Sequence, residues 1–147
     1  MSISEAHVPH FTYHCAKSYG ASVHGVLANV AATTAPVPTA SFIIGVFNAP
    51  PPLFFLPLVR TRELSALHRR LWAELASIAT GVMDRYAAER WLATVNLAPD
   101  LESDISRELF PFLLKRDFEW EITIDNVCIL HDTGEQQVIE AQFDFKG

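Results

Sequence analysis

A chain of 147 residues, half of them apolar, is expected to fold as one domain around a sizeable core, which argues against disorder. The net charge of −6 is unevenly spread: residues 1–99 carry seven Lys/Arg against five Asp/Glu, and residues 100–147 carry four against twelve, which excludes a broad basic nucleic-acid surface and leaves small anionic ligands open. No stretch approaches the roughly 20 apolar residues of a membrane span and the N-terminus lacks a secretion-signal layout, so a soluble, cytoplasmic protein without membrane contact is expected.

In chain order, Pro9-His10-Phe11-Thr12-Tyr13 comes first. A histidine and a threonine two apart on an extended segment share a face, so imidazole and hydroxyl can address one group of ligand atoms. Cys15, with Cys128 far downstream, has no C-x-x-C partner, and both are expected as buried thiols rather than as a disulfide or metal site. Ser22 is placed to cap a helix through about Thr33, with Val23, Val26, Leu27 and Val30 inward and His24 outward. Pro36 and Pro38 end it, and residues 40–47 have the β-branched and aromatic content of a strand.

Pro50-Pro51-Pro52 is expected to be a stiff turn into a second strand over residues 53–59, where Pro57 implies an edge or a bulge. Thr61 then caps a helix whose Leu64, Leu67, Leu71, Leu75 and Ile78 make a core stripe, with His68 on its flank and partly exposed. Arg60, Arg62, Arg69, Arg70, Arg85 and Arg90 are expected mostly to solvate helix faces. Residues 81–90 add a turn of helix before a strand at residues 92–98, which contains Thr94 and Asn96. Asp100 caps the next helix, with Leu101, Ile105, Leu109 and Leu113 inward and Pro111 disrupting it.

The tail is a hairpin. Phe118, Trp120, Ile122 and Ile124 alternate with polar residues, a bulge falls near Asn126, residues 131–135 turn with His131 exposed, and Ile139, Ala141, Phe143 and Phe145 point inward on the return. Strand, helix, strand, strand is thus repeated on either side of a linking helix. Two lobes, approximately residues 1–79 and 80–147, would pack about a pseudo-twofold axis with His10/Thr12 facing Thr94/Asn96 across one cleft.

On these residues the chain resembles the 2H phosphoesterase superfamily, which includes 2'-5' RNA ligase-like proteins and cyclic phosphodiesterases and carries two H-x-T/S motifs on equivalent strands. Pro9-His10-Phe11-Thr12-Tyr13 is similar to the first motif. Trp91 to Ala98 is similar to the second when Ala93 stands at the motif proline, Thr94 at the histidine and Asn96 at the threonine; a shift by two would put Thr94 at the threonine, but the first alignment also matches Trp91, Val95, Leu97 and Ala98. The second histidine is absent either way. The resemblance implies an α+β, bilobal fold of two antiparallel sheets with helices outside. It also implies an activity on a small nucleotide or cyclic phosphodiester without metal or organic cofactor.

Under that resemblance His10 is the general acid or base, Thr12 a phosphoryl-oxygen donor, and Thr94 and Asn96 further substrate-binding groups. The vacant proton-transfer role is either taken by His14, His7 or an ordered water, or left unfilled in a protein that is slow, that acts on a substrate with a good leaving group needing one proton transfer, or that merely binds. Tyr13, Tyr19, Phe54 and Phe55 are candidates for base stacking. The alternatives are a nucleotide sensor or sequestering module without turnover, a protein-interaction domain docking through an exposed N-terminal edge or residues 50–55, and non-phosphate acid/base chemistry on His10 alone. The few residues before Pro9 suggest a missing edge strand, which invites a homodimer.

Overall fold

The computed structural model describes residues 9–48, 52–97, 103–134 and 136–147. Expectations for His7, the Pro50-Pro51 turn, Ala98, the Asp100 cap, Leu101 and Glu135, and for an edge before Pro9, lie outside them. The architecture is α+β: among the described residues there are three α-helices and small sheets whose strand pairs are all antiparallel. No helix among the described residues is long and apolar enough to cross a membrane.

The helices follow the apolar spacing. Helix α1 (Val23–Ala32) buries Val23, Leu27, Val30 and Ala31. Ser22 occupies its N-cap without a side-chain bond, so this helix rests on packing rather than capping. Helix α2 (Arg62–Leu75) is better specified: the Thr61 hydroxyl accepts the Leu64 N–H at 3.1 Å, and Leu64, Leu67, Leu71 and Leu75 are all buried. His68 is buried too, at 0 % exposure, which corrects the expectation of a partly exposed flank. It sits four residues after Leu64 and three before Leu71, so it shares the stripe itself. Helix α3 (Ser103–Leu113) runs through Pro111 to its end two residues later. It lies against the sheet through Phe110, whose ring stacks on that of the buried Phe54 at 5.8 Å, while Ile105, Phe110 and Phe112 remain exposed.

The strands show what local alternation leaves open. The expected strand over 40–47 is two, β2 (Val37–Ser41) and β3 (Gly45–Phe47), which enter different sheets. Short β1 (Ser18–Tyr19) pairs with β5 (Ala79–Thr80). Strand β4 (Leu53–Pro57) lies between β3 and β6 (Thr94–Leu97), so the edge position inferred from Pro57 is overturned. Pro57 is tolerated in a central strand because it is the last residue, where a missing N–H interrupts little of the ladder. A single turn of 3₁₀ helix (Asp84–Tyr86) stands where a helical turn was expected.

The tail is not one hairpin. Strand β7 (Trp120–Ile124) pairs with β2, and only β8 (Asn126–Asp132) and β9 (Gln137–Asp144) pair with each other. The irregularity expected near Asn126 is this change of partner at Asp125, with a register shift at Ile129/Leu130 further on. Ile139, beside that shift, is 38 % exposed rather than inward, and Trp120, at the end of the β2–β7 pair, is 46 % exposed. Gly134 closes the turn at φ 86°, a conformation that suits glycine, beside hydrogen bonds between Thr133 and Gln136. Strands from both halves of the sequence mix: β2 with β7, and β4 with β6. The core lies between α1, α2 and these strands, with Trp91 at its centre.

Candidate functional site

Residues 9–16 belong to no strand, and the backbone bends at Tyr13. Three ring N–H groups hold them in place of a ladder. Trp91 Nε1 donates to the Thr12 carbonyl at 2.7 Å, and both His68 Nε2 and Trp72 Nε1 donate to the Tyr13 carbonyl at 3.1 Å. His68 Nε2 also reaches the Tyr86 carbonyl at 2.8 Å. Both partners are carbonyls, so the proton sits on Nε2. The buried Nδ1 then has no hydrogen-bond partner among the described residues, and burial holds the imidazole below the ordinary histidine pKa. The His68 and Trp91 rings stack at 4.0 Å and 6° between planes, and the Arg60 guanidinium covers Trp91 while donating to its carbonyl.

His68 and Trp72 are one helical turn apart on α2, the spacing that lets two side chains reach one acceptor. That pair is the signal sequence reasoning passed over.

Pinned this way, the segment forms one wall of a cavity of about 690 Å³. His10, Thr12, Tyr13, His14 and Tyr19 line it from one side, and residues of β7, β8 and β9 from the other. Its inner surface is apolar, with buried Val23, Leu27, Leu71, Leu75 and Val127. Its rim is polar, with exposed Asp125, Asp132, Gln137 and Gln142. Arg85 is the one arginine or lysine among the described lining residues, and it is oriented by the Tyr86 hydroxyl at 2.8 Å and by that ring.

The second imidazole of the cavity is His14. Its Nδ1 lies 2.8 Å from the Tyr19 hydroxyl and its ring packs on Trp72 at 4.8 Å. Burial first, then the charge of His68, lowers its pKa and favours the neutral ring. Tyr19 is pushed up to about 12, so its hydroxyl stays protonated. Cys15 and Cys128 are free thiols, half-buried on the cavity wall, and burial raises the pKa of Cys128.

Thr94 and Asn96 are not brought to this cavity. Val95 between them lines it, and alternation along β6 turns its two neighbours to the opposite face. There they pair with Pro57 and Phe55, beside the stacked Phe47–Phe55 rings at 4.3 Å. The expected meeting of His10/Thr12 with Thr94/Asn96 across one cleft does not occur. Of the stacking candidates, only Tyr13 and Tyr19 line the cavity; Phe54 lies under Phe110, and Phe55 lies over Gly45. Tyr13 has no face to offer, since Trp91 and His68 stack on it at 5.6 and 6.5 Å and the Phe11 ring meets it at 4.7 Å. His24, beside Glu140 at 3.4 Å, and His131 are exposed as expected.

No protein-family model and no curated protein sequence matches the chain.

Proposed function

We propose that this protein binds a small nucleotide or cyclic phosphodiester in the cavity and hydrolyses it with two imidazoles, His10 and His14. The observation that carries the reading is that His10, Thr12 and His14 line one cavity of about 690 Å³, within the range of small-molecule sites. His14, neutral through burial, takes the proton of the attacking water when its Nδ1 donates to the Tyr19 oxygen and leaves Nε2 free as the base. The phosphorus–oxygen bond to the leaving oxygen breaks, and that oxygen receives a proton from His10. The Thr12 hydroxyl and Arg85 meet the phosphoryl oxygens. The products are a phosphomonoester and a free hydroxyl, and solvent returns both rings to their starting protonation.

The bilobal 2H-type architecture belongs to the same proposal. Its support is that a strand, a helix and three strands follow one another before α2 (β1, α1, β2, β3, β4) and again from β6 (β6, α3, β7, β8, β9), with the H-x-T segment ahead of the first series.

The test is product formation from 2',3'-cyclic nucleotides, linear 2'-5' oligonucleotides and cyclic oligonucleotides. Cleavage that falls roughly 10²- to 10⁴-fold in His10→Ala and comparably in His14→Asn supports the two-imidazole mechanism. Turnover indifferent to both substitutions overturns it. The apolar inner surface favours a second reading, a nucleotide-binding module without turnover. Saturable binding by calorimetry with no product from any substrate selects that reading.

A further inference from the structure

Charge is missing from one long part of the chain. Residues 18–59 contain no Asp, Glu, Lys or Arg, so all 11 basic and all 17 acidic residues lie outside that run. Much of the run is core, but Phe42, Ile43, Val46 and Phe47 are 59, 62, 41 and 42 % exposed. Single exposed apolar residues are ordinary; four large ones within one short stretch make a patch, and patches mark interaction surfaces.

The fold puts this patch on a sheet edge. Strand β3 pairs with β4 and is outermost in its sheet among the described residues. Its register against β4 runs without a shift, and the Phe55 ring lies over Gly45 and stacks on Phe47, which keeps the strand regular. Outer strands ordinarily carry a lysine, a proline or a bulge that blocks further pairing. β3 has none of these, and neither β4 nor β6 beside it carries a charge, whereas β8 and β9 carry Asp132, Glu140 and Asp144.

The missing charge also selects the occupant. A charged peptide or a nucleic-acid strand would find no counter-charge along residues 42–47 and would lose hydration without compensation. For a second copy the same face is favourable. Two molecules of net charge −6 repel, and this face lets them meet with no like charges opposed in any register. We propose that residues 42–47 are a self-association surface, on which β3 of one protomer pairs antiparallel with β3 of its partner about a twofold axis. The three-stranded sheets of the two copies become one continuous sheet, and the exposed apolar side chains meet their own copies. This surface is distinct from any edge ahead of Pro9, and it does not depend on what the cavity binds.

The experiment is sedimentation velocity on the whole chain between about 5 and about 500 µM, where a contact smaller than the roughly 20–30 residues a side of standard interfaces is expected to give a reversible monomer–dimer equilibrium. Ile43→Lys and Val46→Lys are each expected to weaken the dimer by about tenfold or more, while Leu92→Lys, at an exposed residue just ahead of β6, leaves it unchanged. Mixing Val46→Lys with Val46→Glu is expected to restore the dimer, because only a patch that meets its own copy sets the two charges against each other. All variants are melted in dilute solution. If the Val46 variants melt lower than wild type, the same mixture is made with Ile43→Lys and Ile43→Glu, whose position lies outside the strands. A monomer at every concentration, growth past the dimer, a dimer indifferent to both lysine variants, or a mixture that stays monomeric overturns the proposal.

Discussion

The segment at residues 9–16 and strand β6 carry the two stretches with which the halves of the sequence begin, and they are held in opposite ways. The first has no ladder and hangs from Trp91, His68 and Trp72, which leaves its own side chains directed by those anchors toward the cavity. The second is an ordinary antiparallel strand on β4, whose alternation spends Val95 on the cavity and turns Thr94 and Asn96 away. Irregular backbone held by side chains can present consecutive residues to one site. A regular strand presents every second residue, so the two stretches cannot mirror each other once one of them has left the sheet.

The largest expected difference is in turnover. His10→Ala removes roughly 10²- to 10⁴-fold of any phosphodiesterase rate, whereas Thr94→Val and Asn96→Ala change it by less than about threefold. A loss with Asn96→Ala as large as that with His10→Ala would show that both stretches serve one site and break the comparison.

Stability separates the regions next. Trp91 is completely buried and carries both the stack with His68 and the bond to the Thr12 carbonyl. Trp91→Ala is expected to cost about 3–5 kcal/mol in urea unfolding, against no more than about 1 kcal/mol for Thr94→Ala. His68→Leu keeps the volume but leaves the Tyr86 carbonyl without this donor, and is expected to cost about 1–3 kcal/mol.

A smaller effect is expected from pH. His14 and His68 both have folded-state pKa values below the ordinary one, through burial first in each case. Below about pH 6.5 the unfolded chain therefore binds more protons than the native state, and stability falls as the pH is lowered through that value. The contribution is fully present above it. Urea midpoints between pH 7.5 and 5 should show this decline, with a shallower slope in His14→Gln; equal slopes would remove His14 from the account.

The smallest effect comes from outside the site. Thr61→Ala removes the N-cap bond of α2, the helix that carries His68 and Trp72, and is expected to cost about 1 kcal/mol without changing the relation between the two regions.

Much of this was legible in the residues before the fold was known. The leucine stripe of α2, the Thr61 cap, the valine and leucine face of α1 and the exposure of His24 and His131 all follow from neighbours within a turn or two. The placement of His10 and Thr12 on a single cavity also matches their proximity in sequence. The burial of His68, the central position of β4, the partner change at Asp125 and the face shown by Thr94 and Asn96 did not follow. Each depends on what arrives from elsewhere in the chain.

The sequence by itself determined the α+β class, the helical stripes and the H-x-T segment as a pair of polar groups in a short stretch, because periodicity and capping act over a few residues. Only the tertiary structure decided that His14 lines the same cavity as His10, and that Thr94 and Asn96 do not line it. The bonds that fix the first segment join residues 55, 59 and 79 apart. A donor–acceptor pair at such separations leaves no local period in the sequence, and it is selected only when the packed core brings those three rings against one short run of backbone.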